Sequence, residues 1–177
     1  MVNDTALVII DVQKGLIDGA YQRDEVLENI NTLLTRARTS GTPVIYVQHD
    51  GPKGDGLEVG TDGWQISPVI APQPGEPIVR KRASDAFYET TLKQTLDQRG
   101  IRHLIVAGGQ TQYCVDTTVP RATTYGYEVT LAGDAHTTYD CDTLTAAQII
   151  AFYNETLDGF QSDTSAILVK PTLEIVF

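Results

Sequence analysis

A chain of 177 residues and 19.3 kDa is about one domain long, and its 41% hydrophobic content with 15 glycines is globular, which excludes disorder and any need for disulfide or metal staples. Thirteen Lys and Arg against 23 Asp and Glu leave a net charge of −10 with no long basic run, so no nucleic-acid partner is expected. Two cysteines, no apolar stretch of membrane-spanning length and no cationic segment ahead of the apolar run at 6–10 predict a cytoplasmic protein with reduced thiols and no membrane partner.

Taken in chain order, short strand-like runs alternate with amphipathic segments, without internal repeat or linker, so one domain over 1–177 is expected. Residues 6–10 read as a buried first strand, and 24–40 as a helix with Val26, Ile30, Leu33, Leu34 and Ala37 on one face and Gly41 beyond its end. Residues 44–48 are the second strand. A Gly- and Pro-rich insertion follows at 49–75, with a short turn near 64–70, and reads as a wall or lid over a site. Further strands are predicted at 77–80, 104–107, 128–131 and 166–169, and helices at 88–99, 114–125 and 143–157, with Gly100, Gly126 and Gly159 as terminators. Pro120 falls inside the second of these helices, and the Asp140-Cys141-Asp142 cluster reads as a cap ahead of the third. Strands without polar alternation, separated by helices, imply an α/β fold: a three-layer α/β/α sandwich around a doubly wound, mostly parallel, six-stranded Rossmann-like sheet.

In an open sheet of this kind ligands bind beyond the carboxyl ends of the strands. Asp11 directly follows the first strand, Lys81 the third, and Cys114 comes a few residues past the fourth, after the turn Gly108-Gly109-Gln110-Thr111. A thiol is nucleophilic as thiolate, which a helix N-terminus favours, and glycines allow a tight turn whose N–H groups face a developing oxyanion. Asp11 would accept the thiol proton, and Lys81 would keep that carboxylate ionised. Each has a plain alternative: a buried structural thiol, a strand-end cap, and one member of a solvated Arg80-Lys81-Arg82 trio. The combination is sharper than its parts.

The stretches Ala6-Leu7-Val8-Ile9-Ile10-Asp11-Val12-Gln13, Val79-Arg80-Lys81 through Ala86-Phe87, and Gly108-Gly109-Gln110-Thr111-Gln112-Tyr113-Cys114-Val115 resemble the three signatures of the isochorismatase-like cysteine hydrolases, which include nicotinamidases and N-carbamoylsarcosine amidase. The match is in order and covers nearly the whole chain. The resemblance implies an Asp11–Lys81–Cys114 triad and a non-proline cis peptide near Gly109–Gln110. It also implies an oxyanion hole from the N–H groups of Gln110 and Cys114, and hydrolysis of an amide or ureido C–N bond through a thioester. Family members commonly form dimers or tetramers, so a homo-oligomer acting on a small molecule is expected, with Phe152, Tyr153 and the apolar terminus 173–177 as candidate interface.

Departures from the family pattern matter as well. Nicotinamidases bind a metal through an Asp-x-His-x-x-x-His-like cluster after the second strand; here that region reads Gln48-His49-Asp50-Gly51-Pro52-Lys53-Gly54, so no metal or other cofactor is expected. His49 is a candidate substrate contact or a strand-end hydrogen-bonding group, and His136 a structural one. Trp64, Phe87 and Tyr113 are candidate pocket walls, Trp64 equally a loop anchor, and Gln13 and Gln112 candidate polar contacts. Two rival functions remain. Isochorismatase-type vinyl-ether cleavage typically dispenses with the cysteine, and a silent binding module would have lost one of the three reactive residues. Nucleotide binding is weakly supported, because Gly108-Gly109-Gln110 lacks the third glycine of the dinucleotide fingerprint.

Overall fold

Strand β1 (Thr5–Ile10) is apolar from Ala6 onward because both of its faces are covered. Ala6, Val8 and Ile10 enter one core cluster, Leu7 and Ile9 the other, the two-residue period of an extended chain. The computed structural model describes residues 4–177; Met1, Val2 and Asn3, which begin the stretch read for a leader and the expected domain, lie outside them. After β1 come a single turn α1 (Lys14–Ile17), the long α2 (Arg23–Ser40), β2 (Val44–His49), β3 (Ile78–Lys81) and α3 (Leu92–Asp97). Then follow β4 (His103–Gly109), α4 (Asp116–Thr124), β5 (Glu128–Thr137), α5 (Ala146–Leu157), β6 (Gln161–Ser162) and β7 (Ser165–Lys170).

The strand order is β3-β2-β1-β4-β5-β7-β6, parallel except at β6. This is the doubly wound arrangement expected, and its winding reverses between β1 and β4, where Ile10 lies opposite Gly108. On one face the sheet buries α1 and α2 with Ile17, Ile30, Leu33 and Leu34; on the other it buries Leu92 and Leu96 of α3, Val119 and Ala122 of α4, and Leu157 of α5. The C-terminal segment is pinned to α2, because Arg36 donates to the carbonyls of Thr172 and Ile175 and lies over the Phe177 ring.

Several element boundaries differ from expectation, four of them for a local reason. The sheet has seven strands, since two-residue β6 pairs antiparallel with β7, too short to leave a hydrophobic signal. β5 runs on past Gly133 and Asp134 to Thr137, its far end paired with Gly108 and Gly109 beyond an irregularity. Helix α3 starts at Leu92 rather than at 88, because Glu89 is held at φ +52°, which no helix tolerates. Thr145 caps α5 through a reciprocal box with Gln148, while Asp140 accepts from the Ala146 N–H at 2.7 Å, so the acidic cluster contributes a second cap to a helix three residues shorter than expected.

The insertion is tied down. Ser67 N–H donates to Val12 O at 2.9 Å, Lys14 N–H to Gln65 O at 2.9 Å and Gly15 N–H to Gly63 O at 2.8 Å, so the loop is sewn to the turn that follows β1. Among the described residues no helix is long and apolar enough to cross a membrane.

Candidate active site

Three strand ends converge at the reversal of winding. Asp11 leaves β1 at φ +49°, with its N–H donating to Val47 O, and is fully buried. Lys81 closes β3, its side chain equally buried, and reaches Asp11 Oδ2 at 2.7 Å and Cys114 Sγ at 3.2 Å. Its third N–H goes to Ala83 O at 2.8 Å, and His49 Nδ1 lies 3.3 Å from the same nitrogen. One ammonium therefore bridges the carboxylate and the thiol that sequence order keeps far apart.

The turn that presents Cys114 depends on backbone proximity. Gly108 sits at φ +127°, and a Cβ there would lie 2.0 Å from Ile10 O, so only glycine lets β4 end this close to β1. The Gly109–Gln110 peptide is cis. A π-helical turn, Thr111–Val115, carries the cysteine, and α4 begins only at Asp116. Helix α4 therefore starts later than the expected 114, and no contact explains Pro120 within it. Among the described residues no acceptor takes the Gln110 N–H.

Electrostatics revise one expectation. Burial raises the Asp11 carboxyl above its ordinary value even though Lys81 pulls it down. Burial, with the Asp11 charge beside it, pushes the Cys114 thiol up to about 12. This favours the thiol form of Cys114 over the helix-stabilised thiolate that its position suggests. Burial and the Lys81 charge lower His49, leaving a neutral imidazole at the edge of the site.

A pocket of about 320 Å3 adjoins this centre, lined by Asp50, Arg80, Lys81, Arg82, Ala83, Tyr88 and Glu89. Asp50 accepts from Arg80 Nε at 2.7 Å and Trp64 Nε1 at 3.0 Å, and the Arg80 guanidinium lies 4.4 Å from the Trp64 ring centroid. Trp64 thus anchors the insertion, one of the two roles expected of it. Gln13 is not free for substrate. Its amide donates to His49 O and Trp64 O and accepts from the His49 N–H, clamping β2 to the loop. Phe87 does not flank the pocket either: it is buried in the core against Tyr125 and Tyr127, at ring-centroid distances of 5.2 and 6.0 Å, and its neighbour Tyr88 lines the pocket instead. Tyr113 is exposed beside Cys114, and Gln112 Oε1 is buried without a hydrogen-bond partner among the described residues.

Sequence reasoning passed over Arg82, Tyr88 and Glu89. The usable signal was three consecutive cations at a candidate catalytic lysine in a strongly acidic chain. His136 is structural as expected: its Nε2 faces Asn154 Oδ1 at 2.8 Å and its Nδ1 the Thr111 hydroxyl at 2.9 Å. Both cysteines are free, and among the described residues no group of His, Cys, Asp and Glu is placed to hold a metal ion.

Comparison with known proteins shows the family. A family model described as the Isochorismatase domain matches residues 5–158. Streptothricin hydrolase of Streptomyces noursei is 39% identical over 138 residues, covering 76% of this chain, which spans about half (50%) of that relative's length. Ureidoacrylate amidohydrolase RutB of Variovorax paradoxus is 29% identical over 172 residues, 75% of this chain and 68% of the relative. Among solved structures, an isochorismatase from Pseudomonas putida KT2440 superposes with a TM-score of 0.90 at 35% identity, covering 99% of this chain and 91% of its own.

Proposed function

This chain belongs to the isochorismatase family, and on that premise we propose that it is a cysteine-dependent hydrolase that opens a C–N bond of a small amide or ureido compound. The observation that carries the reading is the Lys81 ammonium held between Asp11 at 2.7 Å and Cys114 at 3.2 Å in a buried site. The names of the two relatives, a streptothricin hydrolase and a ureidoacrylate amidohydrolase, support the choice of bond.

Cys114 Sγ attacks the carbonyl carbon as its proton passes to Asp11, so no free thiolate need accumulate. This suits a thiol whose pKa is pushed to about 12. The carbonyl oxygen gains negative charge, which the N–H groups of Gln110 and Cys114 receive. Asp11 returns the proton to the nitrogen, the C–N bond breaks, and ammonia or an amine leaves a thioester on Cys114, a thiocarbamate if the substrate is ureido. Water then attacks that carbon, gives a proton to Asp11 and releases the acid as Sγ regains its proton. Lys81 stabilises the anionic carboxylate at both stages. His49, Trp64 and Tyr113 border the site, His49 as the residue closest to the reacting groups.

Ammonia release from small primary amides and ureido acids tests the reading, with Cys114→Ala and Asp11→Asn as controls. Turnover abolished in both variants is expected; full activity in either would refute the mechanism. Assembly of like chains is part of the same proposal, because Phe152, Leu173 and Val176 remain 56%, 81% and 79% exposed. A scattering mass equal to the 19.3 kDa of one chain would reject it.

A further inference from the structure

We propose that the pocket beside the triad receives a zwitterionic head group, with Arg82 binding a carboxylate and Glu89 an ammonium, so that the substrate is an amide or ureido compound bearing an amino-acid head. This rests on the hydrolase reading above and deepens it.

The charges lining the pocket fall into two groups. Arg80 is held by Asp50 and stacked on Trp64, and Lys81 is held by Asp11, so neither is available to a ligand. Arg82 and Glu89 line the same pocket, yet neither has a hydrogen-bond or ion-pair partner among the described residues, each other included. Two opposite charges around one small cavity, held apart, complement a ligand that carries both signs at separate points.

The rim that carries Glu89 is fixed. The Ala86 N–H donates to Thr118 Oγ1 at 3.0 Å, the Thr90 hydroxyl to Ala86 O at 2.6 Å, and Phe87 and Leu92 are buried on either side of Tyr88 and Glu89. Glu89 itself stands at φ +52°, where glycine would sit without strain. Among the described residues three non-glycine residues have such a backbone: Asp11 is the proposed base, Glu89 lines the adjoining pocket, and Gln22 occupies the N-cap position of α2 without a side-chain cap bond. A charged side chain kept at a strained position against a cavity points to a ligand contact. The volume, about 320 Å3, is at the small end of ligand pockets, and Tyr88 supplies its aromatic wall.

The test separates recognition from chemistry. In Cys114→Ser protein, calorimetry measures binding of citrulline, of 5-ureidopentanoate, which lacks the amino group, and of 4-ureidobutylamine, which lacks the carboxylate. The matched series built on 2-amino-3-ureidopropanoate covers a shorter spacer. In at least one series the zwitterion should bind about tenfold tighter than either singly charged compound, the effect of one charge-assisted hydrogen bond. Arg82→Gln should erase the advantage over the amine alone, and Glu89→Gly, which keeps the left-handed turn strain-free, the advantage over the acid alone. Equal affinities, a preference that survives both substitutions, or no binding in either series would overturn the proposal. Ammonia release by the wild-type protein is read separately. Ranked binding without turnover would remove the hydrolase reading and leave the zwitterion site, and turnover without ranking would do the reverse.

Discussion

At the scale of the residue, the position of Cys114 depends on side chains outside the site. Asn154 Nδ2 donates to Gly133 O at 2.9 Å, which fixes its oxygen toward His136 Nε2, so that nitrogen carries the proton and Nδ1 accepts from the Thr111 hydroxyl. The first residue of the turn bearing Cys114 is thereby tied to β5 and α5. Thr111→Val, which keeps the shape and deletes the donor, should lower kcat about tenfold with little change in KM, whereas Thr111→Ser should retain activity; steady-state kinetics on both variants checks this. Because burial raises the Asp11 carboxyl above 3.8, and only the ionised form accepts a proton, kcat/KM should fall with acid at a midpoint above that value in a pH–rate profile. The convergence of Asp11, Lys81 and Cys114 was legible because each lies at, or a few residues past, the carboxyl end of a strand. Gln13 and Phe87 were misread because the direction of a side chain near a strand end depends on what packs there, which the sequence does not display.

At the scale of the element, the approach of β4 to β1 sets the geometry of the site. Gly108→Ala would drive a methyl group to 2.0 Å from Ile10 O, and the strands would have to part. A loss of at least about 3 kcal/mol in chemical denaturation, together with loss of activity, is expected. Thr145→Ala removes one half of the capping box on α5 and should lower stability by about 1 kcal/mol without touching kcat. The long elements were readable from their apolar periodicity, as the six buried positions of α2 show. The boundaries were not, wherever tertiary contacts intervene: β5 continues through a polar stretch because β4 offers it partners, and α3 is cut short by the turn that aims Glu89.

At the scale of the whole molecule, the doubly wound sheet explains why three residues spread over more than half the chain meet at one point. The same burial makes the fold sensitive to acid. His49, His103 and His136 all have native pKa values lowered below 6.5, chiefly by burial, so the unfolded chain binds protons that the native one refuses. Stability is then fully present above 6.5 and declines as pH falls below it, by up to about 1.4 kcal/mol per pH unit for each such group. Asp11 and Asp116, whose carboxyls burial raises, act in the opposite sense, but with two protons against three. Urea denaturation from pH 7 to 5 should show the decline, and His136→Gln should make it shallower. The high thiol pKa at Cys114 also has a consequence for oxidative damage. Peroxide and alkylating agents react with thiolates, and a cysteine that ionises at about 12 offers them almost none at neutral pH, whereas Cys141 stands exposed on the surface. The protein should therefore lose its outer thiol to an oxidant long before its activity, and a count of modified cysteines will overstate the damage to the enzyme.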